Sequence, residues 1–186
     1  MESIAADEFR RMGFESVTAE NGRVKLSGGI NMLARANICS RYAERIMIDV
    51  GEFRAATFTE LFDGVKSLPW EDYIGKYDAF PVNGRSIDSA LFSIPDCQSI
   101  VKKAIVERLK QKYHISHFEE TGAEYRVRFF IYKNVASLMI DTSGEGLHKR
   151  GYRRKSNDAP LKETLGAAMC DLARIYPDTL MFDPFC

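Results

Sequence analysis

Two segments of alternating apolar residues flank the dipeptide Lys133-Asn134, and this pattern admits few structures other than a β-hairpin. The apolar side chains fall on every second residue: Tyr125, Val127, Phe129, Ile131, Ala136, Leu138 and Ile140. Alternation of this kind places them on one face of a strand pair. That face must be covered by other elements, so the hairpin predicts a layered fold.

A long amphipathic helix supplies the cover. Pro95 stands in its first turn, where a missing backbone N–H is harmless, and an apolar stripe follows at Ile100, Val101, Ala104, Ile105 and Leu109. A shorter helix is expected at Thr57–Lys66. A short strand is expected at Phe80–Val82, ended by a turn at Asn83-Gly84. Together these elements predict an α+β domain.

The first fifty residues predict a smaller unit. Its expected elements are a helix capped by Ser3 and ended by Gly13, a tight hairpin at Asn21-Gly22, a helix at Asn31–Cys39 and a strand at Arg45–Val50. This order is that of a ferredoxin-like βαββαβ unit without its first strand. The missing strand leaves a neighbouring strand with an unpaired edge.

The chain changes character after the long hairpin. Residues 144–158 are rich in glycine and basic residues, which is typical of a linker. A last helix is expected to begin at Pro160 and to turn Leu161, Leu165, Ala168, Met169 and Leu172 inward. Thr179–Phe182 resembles a strand that has no partner.

Composition excludes several classes of protein. The 26 basic and 26 acidic residues cancel, so a nucleic-acid site would have to come from local clustering of charge. The four cysteines form no CxxC pair, which argues against a structural zinc site. No apolar run reaches the ~18 residues of a membrane-spanning helix, and a soluble, cytoplasmic protein is expected.

Two motifs suggest catalysis only weakly. Asp141, Ser143 and His148 could be taken for a hydrolase triad, but a flexible loop offers neither a rigid nucleophile nor an oxyanion hole. Gly144-Glu145-Gly146 lacks the remaining residues of a phosphate-binding loop. Turn formation is the better interpretation of both.

Two clusters of basic residues are more informative. The first contains an aromatic residue and comprises Lys149, Arg150, Tyr152, Arg153, Arg154 and Lys155. The second lies along the long helix at Lys102, Lys103, Arg108, Lys110 and Lys112, with only Glu107 opposing it. Closely spaced cations neutralise phosphates, and an aromatic ring can stack on an unpaired base. Charge alone leaves RNA binding and a solvated surface both open.

A longer motif resembles one bacterial family. The run Asp141–Arg153, followed by Ala159–Leu165, is similar to the THUMP-domain methyltransferases that modify guanine N2 of 23S ribosomal RNA. Arg35–Asn37, Glu52–Ala55 and Ile94–Cys97 fit the same family. The ending Phe182–Cys186 looks like the family's DPFCGSG motif, cut before its glycines. The resemblance covers nearly the whole chain.

The resemblance implies a modular enzyme. A partial ferredoxin-like domain (1–55) and a THUMP domain (56–143) would bind structured RNA, and residues 144–186 would be the connector and truncated start of a Rossmann-like methyltransferase domain. That domain binds S-adenosylmethionine beyond its first strand. The residues implied at the cofactor are Pro160, Leu161, Lys162, Glu163, Thr164, Asp183, Pro184 and Phe185.

One departure limits what this chain can do by itself. The family's Asn/Asp-Pro-Pro-Phe/Tyr motif, which positions the target amine, is absent, and Asp183-Pro184-Phe185 does not replace it. We therefore expect no catalysis and no bound cofactor from this chain alone. The main alternative is a stand-alone THUMP adaptor that works with a separate catalytic protein; a tRNA thiolation enzyme and a purely structural domain are weaker alternatives.

Overall fold

The computed structural model describes residues 1–153, 160–182 and 184. The chain forms two compact units. Met47–Thr142 is one, and Met1–Ile46 together with Ser143–Cys186 is the other.

The Met47–Thr142 unit is built on a four-stranded sheet. Its strands are β3 (Met47–Arg54), β4 (Val82–Ile87), β5 (Arg126–Tyr132) and β6 (Val135–Asp141). They lie in the order β3-β6-β5-β4; β6 runs antiparallel to β3 and β5, and β4 runs parallel to β5. The predicted hairpin is confirmed, and both Lys133 and Asn134 take positive φ at its turn.

Two helices of this unit, α3 (Phe58–Ser67) and α4 (Ile94–Tyr113), contribute to the core. The core contains the apolar residues that alternate along β5 and the stripe along α4, as the sequence predicts: Val127, Phe129, Ile131, Val101, Ala104, Ile105 and Leu109. Thr57 and Glu60 form a reciprocal capping box at the start of α3. Trp70 is fully buried, and its indole N–H donates to the carbonyl of Val65 over 2.7 Å.

The turn predicted at Asn83-Gly84 is wrong. Both residues lie inside β4, where Gly84 pairs with Phe129 of β5. A Cβ atom at Gly84 would come within 2.3 Å of the Phe129 carbonyl oxygen. Glycine stands here because a neighbouring backbone approaches closely, and the same Asn-Gly dipeptide makes a true hairpin turn only at residues 21–22.

The other unit contains α1 (Glu2–Arg11), β1 (Val17–Glu20), β2 (Arg23–Leu26), α2 (Ile30–Cys39) and α5 (Glu163–Leu172). The β1-β2 hairpin and both early helices are confirmed. The helix begins before Ser3, so Ser3 does not cap it. Phe9 and Phe14 meet edge to face, with ring centroids 5.5 Å apart, in a core that also takes Ala168 from α5.

The strand expected at Arg45–Val50 differs from the prediction in its partner. It begins at Met47 and pairs with β6 rather than with the β1-β2 hairpin. The apolar hairpin of β5 and β6 leaves the backbone groups of β6 unpaired on one side, and β3 satisfies them over seven residue pairs. The sequence order of a ferredoxin-like unit is present, but this strand belongs to the larger sheet.

The C-terminal helix also differs from the prediction. Of the residues expected to face inward, Ala168 is buried as predicted, but the larger ones are exposed: Leu161, Leu165, Met169 and Leu172. Thr179–Phe182 forms no strand, and Leu180 is 96% exposed. No helix in the described residues is long and apolar enough to cross a membrane.

Candidate nucleic-acid interface

The first basic cluster, which we call the basic connector (Lys149–Lys155), is attached to the end of α2 by Arg150. Its guanidinium group donates to the carbonyls of Ile38, Asn37 and Ser40 over 2.6–2.9 Å, and its Nε donates to the carbonyl of Leu147. A helix leaves its last carbonyls without partners, and a cation satisfies them well. Arg150 therefore has a structural role as a cap.

The other residues of the basic connector differ in how exposed they are and in whether internal partners already bind them. Arg153 donates to the carbonyl of Leu161 over 2.7 Å and lies 3.7 Å from Glu163. Lys149 is 60% exposed, and Glu145, at 4.0 Å, is its one acidic partner among the described residues. Tyr152 is 76% exposed. Arg154 and Lys155 lie outside the described residues. Lys149 and Tyr152 are thus the described members that a ligand can reach.

The basic side of α4 is partly neutralised by nearby acids. Arg108 donates two hydrogen bonds to Glu71, and Lys102 binds both Glu120 and the carbonyl of Phe80. Lys103 is exposed and lies over the ring of Phe62, 5.9 Å from its centroid. Within the part of the chain that is described, neither Lys103 nor Lys110 has an acidic partner, so these two keep their charge available.

The Arg108–Glu71 pair predicts an acid-sensitive contribution to stability. The hydrogen bonds from Arg108 hold the pKa of Glu71 below its ordinary value of 4.5. A carboxyl group whose folded pKa is depressed stabilises the fold above its unfolded pKa, and that stability is lost as the pH falls through the folded pKa. We expect the denaturation midpoint of the wild type to fall more steeply below about pH 5 than that of Glu71→Gln. Parallel pH profiles from urea titrations would contradict this role.

The segment implied at a cofactor, Pro160–Thr164, is held by Glu44. The hydroxyl of Thr164, itself buried, donates to the Glu44 carboxylate over 3.0 Å, and the ammonium of Lys162 lies 3.3 Å from it. Desolvation raises the pKa of Glu44, but the hydrogen bonds from Thr164 and Lys162 outweigh it and lower the pKa overall. The sequence analysis did not predict this role of Glu44, because its partners Thr164, Lys162 and His148 lie more than 100 residues later in the chain.

The remaining implied residues are less enclosed. Pro160 and Leu161 are exposed, and Glu163 meets Arg153 as described. The N-terminus of α5 has no side-chain cap, so backbone N–H groups of its first turn are available to an anion. Pro184 is exposed, while Asp183 and Phe185 lie outside the described residues.

The residues that suggested a hydrolase triad have separate partners. Asp141 accepts from Arg128 over 2.9 Å, Ser143 accepts from the backbone N–H of Ile46, and His148 pairs with Glu44. No group of three or more possible metal ligands occurs in the described residues. The triad interpretation therefore receives no support from the geometry.

A helix-covered sheet and a small α/β unit that holds a cationic connector define an α+β protein. Family models divide the chain accordingly. The RlmL ferredoxin-like domain matches residues 1–47, the THUMP domain matches 55–141, and the RMKL-like methyltransferase domain matches 150–186. These three matches confirm the predicted resemblance to THUMP-containing methyltransferases, and the predicted fold class is confirmed as well.

Relatives agree with this assignment. "Putative RNA methyltransferase YpsC" of Bacillus subtilis is 46% identical over the whole chain, and the chain covers 49% of it. A Synechocystis protein named "Putative RNA methyltransferase slr0064" is 29% identical, with the same coverage. The chain spans about half the length of the curated relatives it matches.

Solved structures share the fold. A Listeria monocytogenes protein, described as a predicted N6-adenine-specific DNA methylase, matches with 48% identity and a TM-score of 0.93. The match covers the whole of this chain and 49% of the Listeria chain. SMU.472, described as a putative methyltransferase complexed with SAH, matches with 41% identity and a TM-score of 0.88 over 95% of this chain and 47% of its own. TrmN of Thermus thermophilus, at 20% identity and a TM-score of 0.65, covers 93% of this chain and 51% of its own and shows the fold alone.

Proposed function

We propose that this chain is the RNA-binding part of an S-adenosylmethionine-dependent methyltransferase that acts on guanine N2 of 23S ribosomal RNA in the cytoplasm. One observation carries the proposal: a match to the THUMP domain and a match to the RMKL-like methyltransferase domain follow each other in one chain. The relative named as an RNA methyltransferase supports RNA as the partner. The neighbour complexed with SAH supports the methyl donor.

The exposed cations suggest how RNA is held. Lys149 and Tyr152 of the basic connector are exposed, and on α4 Lys103 is exposed while Lys110 is half-buried. Phosphate contacts of this kind supply affinity without reading sequence. Arg150 of one unit and Arg108 of the other act only indirectly, because their charges are used by backbone carbonyls and by Glu71, respectively.

The proposed cofactor segment fits the methionine end of S-adenosylmethionine in one respect. The uncapped N-terminus of α5 would receive the carboxylate of that end, and Leu161 offers an apolar contact beside it. Glu44 would position Thr164 and thereby the first turn of the helix. The cofactor supplies an electrophilic methyl group when bound. The exposed apolar residues of α5 would pack against further parts of the methyltransferase domain.

Lys149→Glu tests the RNA-binding proposal. We expect the affinity for a structured 23S rRNA fragment to fall, and the slope of log K against log salt to decrease by about 1, because one phosphate contact is lost. Filter binding over a series of salt concentrations measures both. Lys76→Glu is the matched control, since Lys76 is an exposed lysine outside both basic clusters. Equal effects of the two substitutions would contradict a specific role for the basic connector.

A further inference from the structure

Two aromatic side chains lie together on the second face of the four-stranded sheet. Phe130 and Tyr132 alternate along β5 with the fully buried core residues, so they project from the opposite face. Their rings are parallel within 4°, with centroids 6.1 Å apart. Tyr132 is 38% exposed. The core does not require these rings at this position, because it is filled from the other face.

Each ring has a cation beside it. Arg85 of β4 is paired in register with Phe130, and its guanidinium carbon lies 4.9 Å from the ring centroid. Lys133, in the hairpin turn, holds its ammonium nitrogen 5.1 Å from the centroid of Tyr132. We call these four residues the aromatic–cation row. In the described residues, neither Arg85 nor Lys133 forms an ion pair with a carboxylate.

Two of the acidic groups on the same face have partners within the sheet. Asp141 accepts from Arg128, and Glu52 accepts from the hydroxyl of Ser137. Both of these pairs are internal to the unit. Arg54 adds another cation, since it pairs with Val135 at the end of the sheet that carries the hairpin turn. Glu52 keeps its negative charge, because a hydroxyl donor does not neutralise a carboxylate, but Arg54, Arg85 and Lys133 outnumber it at this end of the face, which favours an anionic ligand.

We infer that the aromatic–cation row binds two successive unpaired nucleotides of RNA, with bases stacked on Phe130 and Tyr132 and phosphates near Arg85 and Lys133. Side chains two residues apart on a strand are separated by about 7 Å, and each here couples a π-face to a positive charge. A single-stranded nucleotide presents the matching pair, a free base face and a phosphate. A duplex does not, because its base faces are covered by the neighbouring pairs.

This inference rests on the proposed function, because it presupposes that the chain binds RNA, but it names a different surface and a different part of the RNA. The basic connector meets phosphates of any RNA, whereas the row selects a loop or a single-stranded end. Aromatic rings stack on any base, so the aromatic–cation row would position the RNA strand without selecting a base sequence.

The test compares single-stranded with double-stranded RNA. A fluorescein-labelled 12-nucleotide poly(A) RNA and a labelled 12-base-pair RNA duplex are titrated with the whole chain and followed by anisotropy. For the double variant Phe130→Val with Tyr132→Val, we expect affinity for the single strand to fall at least tenfold, because stacking on both rings is lost. Affinity for the duplex is expected to stay within twofold. Valine keeps the strand propensity of both positions.

Two further variants separate stacking from folding. Phe130→Tyr with Tyr132→Phe keeps both rings and is expected to keep the affinity for the single strand. Tyr77→Val removes the ring of another exposed tyrosine beside a lysine, Lys76 at 5.6 Å from its centroid, and is expected to change nothing. Circular dichroism at the titration temperature checks that each variant is folded.

Three outcomes would overturn the inference. They are unchanged single-strand affinity in the valine variant, an equal loss for the duplex, and an equal loss in Tyr77→Val. If Lys149→Glu still weakens rRNA binding in any of these cases, the proposed function stands and only the aromatic–cation row is rejected. Failure of the wild type to bind either RNA or the rRNA fragment would reject the proposed function as well.

Discussion

Trp70→Ala is expected to destabilise the Met47–Thr142 unit by about 3–5 kcal/mol. Trp70 is fully buried and belongs to the core formed with α3 and α4, so its loss leaves a large cavity. The substitution also removes the indole N–H, so the carbonyl of Val65 loses a hydrogen bond. Urea denaturation followed by far-ultraviolet circular dichroism measures the change.

Phe92→Ala is the matched control for Trp70→Ala. Phe92 is an aromatic residue of the same unit but is 83% exposed, so its removal is expected to cost less than about 0.5 kcal/mol. A loss below about 1 kcal/mol for Trp70→Ala would mean that this unit does not depend on the described core.

Arg150→Met is expected to destabilise the unit that contains α2 by about 2–3 kcal/mol, because carbonyls at the end of that helix lose a charged donor. Methionine keeps much of the apolar stem, so the loss reports on the guanidinium group. Arg150→Lys is expected to recover only part of the stability, since one ammonium group cannot reach four acceptors spread around it.

Lys149→Met provides the comparison for Arg150→Met. Lys149 is adjacent in sequence but exposed, and Glu145, its acidic neighbour in the described part of the chain, is 4.0 Å away, so stability should change by less than about 0.5 kcal/mol. The two residues thus have opposite expected profiles: Arg150 acts on stability, and Lys149 acts on RNA affinity. If both variants were equally stable in urea, the cap assigned to Arg150 would be wrong.

The sequence predicted the elements whose patterns are local. The hairpin of β5 and β6 and the helix α4 were predictable, since alternation and an apolar stripe report directly on the face that each element buries. The hairpin at Asn21-Gly22 was predictable for a similar reason. In these elements the preferences of neighbouring residues and the tertiary packing agree.

Features that depend on distant partners were not predictable in this way. The partner of β3 is decided by the free edge of β6, about 85 residues further along the chain. Asn83-Gly84 resembles a turn until the approach of Phe129 is known. The apolar side of α5 looks like a core face in sequence, yet most of it is exposed in this chain.

In the candidate site too, local patterns were predictable and contacts with distant residues were not. Clustering of charge marked the basic connector and the basic side of α4, but it could not distinguish Lys149 from Arg150, whose carbonyl partners lie more than 100 residues earlier. Arg108 was likewise grouped with Lys103, although Glu71 engages only Arg108 of the two. Phe130 and Tyr132 become a candidate surface only when β4 brings Arg85 beside them.

Nucleoside mass spectrometry after deletion of the gene tests the central claim most directly. The 23S ribosomal RNA and the genomic DNA of the parent and the deletion strain would be digested and compared. We expect loss of one N2-methylguanosine from 23S rRNA in the deletion strain and unchanged DNA. Unchanged 23S rRNA, or loss of N6-methyladenine from DNA as the name of the Listeria relative would suggest, would contradict it.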